Sequence, residues 1–118
     1  MGHVSHLFAL FPADEITLRG TPELAKAARI SLERRVQNGG GRNGWPAAWY
    51  VNLWARLEDG DRAYQHVRAV LSNAAESLLN ANRRFFQIDA NFGVTSGIAF
   101  SAFFAKFQRS CLNWPAFP

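Results

Sequence analysis

Gly44-Trp45-Pro46-Ala47-Ala48-Trp49-Tyr50-Val51-Asn52-Leu53-Trp54-Ala55-Arg56-Leu57 is the stretch that decides the fold class. Trp45, Trp49, Leu53 and Leu57 recur every four residues, and Tyr50 and Trp54 widen the same face. That spacing marks one side of an α-helix, and no strand-like alternation competes with it. Pro46 suits the opening turn, where a missing N–H costs nothing. The spacing therefore predicts a helix over about 46–58.

Upstream, Asn38-Gly39-Gly40-Gly41-Arg42-Asn43-Gly44 is a loop, and Asn38 with the three glycines closes an earlier helix. Thr21-Pro22-Glu23 opens that helix: Thr21 can cap, Pro22 fits the first position and Glu23 faces the positive end of the dipole. The predicted span is about 22–37, with Leu24, Ala28, Ile30 to Leu32 and Val36 as the apolar stripe and Arg29, Glu33 and Arg34 toward solvent. Residues 1–20 read as a short apolar stretch, His6 to Phe11, followed by a loop.

Downstream, Glu58-Asp59-Gly60-Asp61 is a tight turn into a third helix bearing Tyr64, Val67, Val70 and Leu71 on one side. That helix is expected to continue or restart through Ala74 to Leu79. Asn80 to Asn91 reads as irregular, and Asn91 as the cap of a fourth helix over about 92–108, dominated by Phe92, Ile98, Phe103 and Phe107. Gly93 and Gly97 inside it point to close backbone approach by a neighbour. The class is all-α, built of helix pairs.

The chain has 118 residues, 48% hydrophobic and 19% charged, which excludes a disordered chain. A single cysteine, Cys111, excludes an intramolecular disulfide framework and a cysteine-based zinc site. No apolar run reaches the roughly 18–20 residues that cross a bilayer, so no membrane partner is expected. Met1 to His6 has no basic segment and does not read as a signal peptide, and the compartment stays open. The formal net charge is +4, but the arginines are scattered with acids between them, which argues against a nucleic-acid partner. Ten Phe and four Trp are more aromatic area than so short a chain can bury alone.

His3 and His6, three apart, read as polar positions or as hydrogen-bonding groups for a polar ligand; two histidines fall short of a zinc site, so no metal is expected. Phe85-Phe86-Gln87-Ile88-Asp89-Ala90-Asn91-Phe92-Gly93 alternates polar and apolar residues ahead of a helix. An acid among aromatics is a candidate for proton transfer, and the Gln and Asn amides suit a hydroxyl-rich ligand. The same residues also read as a helix-capping loop.

Phe86 to Gly93 resembles the F-Q-I-D-G-N-F-G segment of glycoside hydrolase family 95, the α-L-fucosidase family. Four further blocks agree in order. His3-Val4-Ser5-His6-Leu7 is similar to the end of H-R-H-x-S-H-L. Thr21 to Arg29 is similar to T-P-E-L-A-x-A-A-R. Gly44 to Leu57 is similar to G-W-S-x-A-W-x-x-N-L-W-A-R-L, with Asp59 to Tyr64 continuing it. Trp114 to Pro118 is similar to a closing L-P-A-L-P.

The resemblance implies a partial (α/α)6 barrel, with residues 1–118 as a fragment from the C-terminal part of the catalytic domain and the rest of the barrel upstream. It implies an inverting hydrolase of terminal α-L-fucosyl linkages, acting on a fucosylated oligosaccharide or polysaccharide without a cofactor. In that scheme a Glu is the general acid, and asparagines polarised by an Asp hold the water. Asp89 matches that Asp as the catalytic residue. His3 matches a sugar contact, and His6, Gln87, Asn91 and Trp45 are the further substrate-binding candidates. The acid Glu and the asparagines lie in segments before Met1, so the isolated chain is expected to be inactive. Three departures stand out: Gly2 replaces an Arg, Pro46 a Ser, and Ala90 a Gly. The alternative is a non-catalytic helical interaction module derived from the barrel.

Overall fold

The computed structural model describes residues 3–42, 44–72 and 86–112, with side chains as far as Ala102. It has a 3-10 turn, Ser5–Leu7, and four α-helices: α1 (Pro22–Gln37), α2 (Gly44–Arg56), α3 (Gly60–Ser72) and α4 (Ile88–Leu112). No strand occurs among the described residues. The expected continuation through Ala74 to Leu79, the Trp114 to Pro118 tail and the side chains of Phe103, Phe107 and Cys111 lie outside the described residues.

α2 is the centre. Its apolar residues cover more than one face, and Ala47, Ala48, Tyr50, Val51, Leu53, Trp54 and Ala55 are all buried. Each large side chain among them contributes roughly 1.5–3 kcal/mol on leaving water. Val4, Leu7 and Leu10 from the N-terminal stretch join the same core.

The helices alternate in direction around α2. Gly40, just past α1, lies against Tyr50, whereas Arg29 in mid-α1 reaches the Leu57 carbonyl at the far end of α2, so the two run antiparallel. α3 returns along α2 with Arg62 beside Trp54 and His66 beside Tyr50. α4 runs parallel to α2: Trp45 meets Gln87, Ala48 meets Gly93, and Asn52 meets Ser96. Two neighbouring helices pointing the same way, with antiparallel partners, form a piece of an α/α barrel.

The C-terminal ends of α1 and α2 close by the same device. At α1, Gly39 N–H bonds to Val36 C=O and Gly40 N–H to Arg35 C=O, with Gly39 at φ 80°. At α2, Glu58 N–H bonds to Ala55 C=O and Asp59 N–H to Trp54 C=O, with Glu58 at φ 54°. This is the Schellman arrangement, whose left-handed position glycine fills without a Cβ clash. Glu58 fills it at a cost.

Beyond Glu58, Asp59 caps α3 by accepting the Arg62 N–H at 3.1 Å. Arg29 donates to Asp59 at 2.7 Å and to the Leu57 carbonyl at 3.1 Å, and Arg62 also pairs with Glu33. The two guanidinium groups lie 5.7 and 4.6 Å from the ring centre of Trp54, which is 1% exposed. Burial raises the Asp59 carboxyl. The Arg29 and Arg62 hydrogen bonds and charges outweigh it and hold the group below its ordinary value.

Several expected faces are rotated. On α1 the buried residues are Ala25, Ala28 and Leu32, while Leu24 and Ile30 are exposed. Arg29 and Glu33 turn inward to the α2–α3 turn instead of to solvent. On α3, Ala63 and Val70 are buried, and Tyr64 and Leu71 are exposed. The Thr21 hydroxyl makes no cap; it accepts from Thr17 N–H at 2.9 Å and so ties the preceding loop. α2 begins at Gly44, two residues before Pro46.

α4 differs most. It starts at Ile88, which puts Asn91 in the first turn and not at the cap. Its contact face is Ala90, Gly93, Val94 and Gly97, while Phe92 and Ile98 point outward. A Cβ on Gly97 would sit 2.5 Å from Val51 Cγ1 and 2.9 Å from Val51 Cβ, closer than carbon atoms approach. The expected close backbone approach is therefore present, and it selects the small residues over the aromatic ones. Ala90, the family's glycine position, is fully buried against the core within the helix.

Candidate functional site

α2 and α4 begin side by side because they are parallel. The backbone N–H of Trp45 donates to Gln87 Oε1 at 3.3 Å and ties the two helix starts together. Trp45 and Trp49, one turn apart, stack with ring centres 4.9 Å apart and 27° between planes. The His3 ring lies 5.3 Å from Trp45, tilted by 31°. Trp49 Nε1–H donates to the Phe11 carbonyl at 3.1 Å, which fixes the indole. Phe11 meets Phe100 edge-on at 6.1 Å, with the Arg56 guanidinium 4.9 Å from the Phe100 ring centre.

Three expected site residues, His3, Trp45 and Gln87, are thus drawn together from separate segments. Asp89 follows Gln87 by two residues, in the first turn of α4; it is exposed, and its Oδ1 accepts the Ala90 N–H at 3.1 Å. Asn91 is half-buried two residues further on, and its carbonyl accepts the Thr95 hydroxyl at 2.9 Å.

His6 goes elsewhere. Its Nε2 lies 2.8 Å from Ser31 Oγ on α1. Partial burial, with the Arg35 guanidinium adding to it, holds this imidazole below its ordinary value. The tight 3-10 turn at Ser5–Leu7 leaves His3 outside it, so the two histidines do not share a helical face. Phe86, just before α4, and Phe92, on its outward side, are 68% and 69% exposed, so neither forms a wall beside Asp89.

Sequence reasoning missed Trp49 and the Phe11 carbonyl as supports of the aromatic row. The four-residue step from Trp45 to Trp49 was the available signal. The His66 ring packs 5.3 Å from Tyr50. Burial lowers the His66 pKa, partly offset by a hydrogen bond to the Gly41 backbone.

Among the described residues no group of three or more His, Cys, Asp and Glu could hold a metal ion. No helix there is long and apolar enough to cross a membrane. The end formed by the starts of α2 and α4 offers flat rings, an amide, an imidazole and one exposed carboxylate. That set can hold a polar ring compound and supply one acid–base group.

Residues 1–100 match the sequence model of the glycosyl hydrolase family 95 catalytic domain. The chain belongs to this family. It is 40% identical over 108 residues to Alpha-L-fucosidase 2 of Arabidopsis thaliana, an alignment covering 82% of this chain and 12% of that protein. The chain therefore spans about an eighth of that relative's length.

Proposed function

We propose that residues 1–118 form the C-terminal part of the catalytic domain of an inverting α-L-fucosidase. Its substrate is the terminal α-L-fucosyl residue of an oligosaccharide or polysaccharide. The single observation that carries this reading is the meeting of His3, Trp45 and Gln87 at the end of the helix pair where Asp89 stands exposed. The rings offer an apolar surface to the sugar's C–H face, and His3 and Gln87 offer hydrogen bonds to hydroxyls. Asp89 polarises the groups that hold the attacking water. The general acid stands across the sugar on a segment outside these residues, roughly 6.5–9.5 Å from the base side. No metal or cofactor takes part.

A helical interaction module is the second reading, and the outward Phe86, Ile88, Phe92 and Ile98 favour it. One experiment separates the two. A complete family 95 catalytic domain carrying this segment is given an aryl α-L-fucoside, and the anomer of the released sugar is followed by NMR. The expected result is β-L-fucose as first product, and no turnover by the 118-residue chain alone. Turnover by the isolated chain, above buffer and above its Asp89→Asn variant, overturns the division of labour. A complete domain that releases no fucose leaves the interaction module as the better reading.

A further inference from the structure

Asn52 is the buried polar side chain of the core, 2% exposed in the middle of α2. Its Nδ2 donates to the Ala48 carbonyl at 3.1 Å and to the Gly93 carbonyl at 2.8 Å. Its Oδ1 accepts the Ser96 hydroxyl at 2.9 Å. Both amide hydrogens and the oxygen are used, two of the three bonds cross from α2 to α4, and a fully satisfied buried network of this kind specifies one geometry.

The positions gripped on α4 are not arbitrary. Asp89, Gly93 and Ser96 stand at i, i+4 and i+7, the spacing of one row along one side of a helix. On α2, Trp45, Ala48 and Asn52 stand at i, i+3 and i+7, again one row. The rows meet at two rungs, and beyond them Trp45 meets Gln87, just ahead of the exposed Asp89. Asn52 bonds to Ser96 and Gly93, Ala48 Cβ would lie 3.0 Å from a Cβ on Gly93, and Trp45 N–H bonds to Gln87. Dispersion alone lets a stripe of Ala, Gly and Val slide or roll on its neighbour. The Asn52 bonds forbid both. A roll of one residue, about 100°, would carry Asp89 off this row altogether.

We propose that Asn52 is a positioning residue: by holding Gly93 and Ser96 it fixes the rotation and height of α4 on α2, and so sets the direction in which Asp89 meets the groups that hold the attacking water. The inference rests on the reading of Asp89 given above. It divides the site in two. His3 and Trp45 are not carried by α4, whereas Asp89 is. Loosening α4 therefore moves Asp89 more than the rings that bind the sugar, and the loss falls on kcat and not on KM.

The test uses a complete family 95 catalytic domain containing this segment, with an aryl α-L-fucoside as substrate. Asn52→Ala is expected to lower kcat about 10²-fold, the cost of a misplacement near 1 Å, with KM little changed. Ser96→Ala keeps the Gly93 bond and loses less. Gly97→Ala keeps every polar group but forces α4 away from Val51, and should lower kcat in the same pattern. It also carries the test if Asn52→Ala does not fold. Leu32→Ala, a core truncation on α1, is the stability control and leaves kcat of the folded enzyme intact.

Amide exchange gives a readout independent of turnover. In Asn52→Ala the Trp45 N–H, bonded to Gln87, exchanges faster, while the Leu57 and Asp59 N–H groups keep their protection. Unchanged kcat in both Asn52→Ala and Gly97→Ala, with Asp89→Asn inactive, overturns the inference and spares the functional reading. An equal kcat loss in Leu32→Ala also overturns it, because general loosening would then suffice. Full turnover in Asp89→Asn removes the functional reading and the inference with it.

Discussion

The two ends of α2 use the same residue types in opposite ways. At the Leu57 end, Asp59 caps α3, receives Arg29 and lies 3.6 Å from Arg62 Nε; Glu33 pairs with Arg62, and the guanidinium groups lie against Trp54. At the Trp45 end, Asp89 also stands at a helix start, yet it is exposed beside a row of rings. Charges matched among themselves hold helices together and have little left for a ligand. Among the described residues no guanidinium pairs with Asp89, and a carboxylate in that state is available for chemistry. Proximity to a helix N-terminus does not distinguish the two aspartates; their partners do.

The largest effect on stability is expected at the matched end. Trp54→Ala empties a fully buried site and removes the surface that orders Arg29 and Arg62, so it should cost about 3–5 kcal/mol in denaturant unfolding. Trp45→Ala, at the half-buried open end, should cost clearly less. Equal losses would break the contrast between the ends.

Asp59→Ala removes a cap and leaves Arg29 without its carboxylate, with an expected loss of about 2 kcal/mol. Its pH dependence has a defined sign. The folded-state pKa lies below the ordinary 3.8, so the carboxylate's contribution is complete above that value and is lost as pH falls through the folded-state value. The native chain should therefore lose stability below about pH 4 more steeply than Asp59→Ala does. Parallel acid profiles of the two would contradict the clamp.

The smallest effect has the opposite sign. Glu58 occupies the left-handed position that Gly39 fills at the end of α1. Glu58→Gly should raise stability by about 1 kcal/mol by removing the Cβ clash. A thermal melt that does not rise would show that the Glu58 side chain offsets the strain.

Much of this was legible in the sequence. The Gly39 to Gly41 run marked the end of α1 because glycine alone enters the left-handed region without a Cβ clash. The Trp45 to Leu57 spacing marked α2 because four-residue recurrence has no other common cause. The faces of α1, α3 and α4 were misjudged for one shared reason. Periodicity locates large apolar residues, but closely packed helices bury the small ones: Ala25 and Ala28 over Leu24, Ala63 over Tyr64, Gly97 over Phe92. Asp89 and Gln87 are singled out by their alternation with apolar residues and, with His3, by the family motif, whereas Asn52 reads in sequence as one polar residue in an apolar helix. Its role emerges only when Gly93 and Ser96 are brought opposite it.

We propose that Asp59 belongs to the fold and Asp89 to the chemistry. The most direct measurement is a crossed comparison of Asp59→Asn and Asp89→Asn in a complete family 95 catalytic domain, recording melting temperature and turnover of an aryl α-L-fucoside for each. Asp59→Asn is expected to lower the melting temperature and leave kcat/KM of the folded enzyme intact. Asp89→Asn is expected to leave the melting temperature in place and lower turnover by roughly 10²–10⁴-fold, the share of a positioned proton-transfer group. Turnover preserved in Asp89→Asn, with a fall in melting temperature like that of Asp59→Asn, would contradict the account.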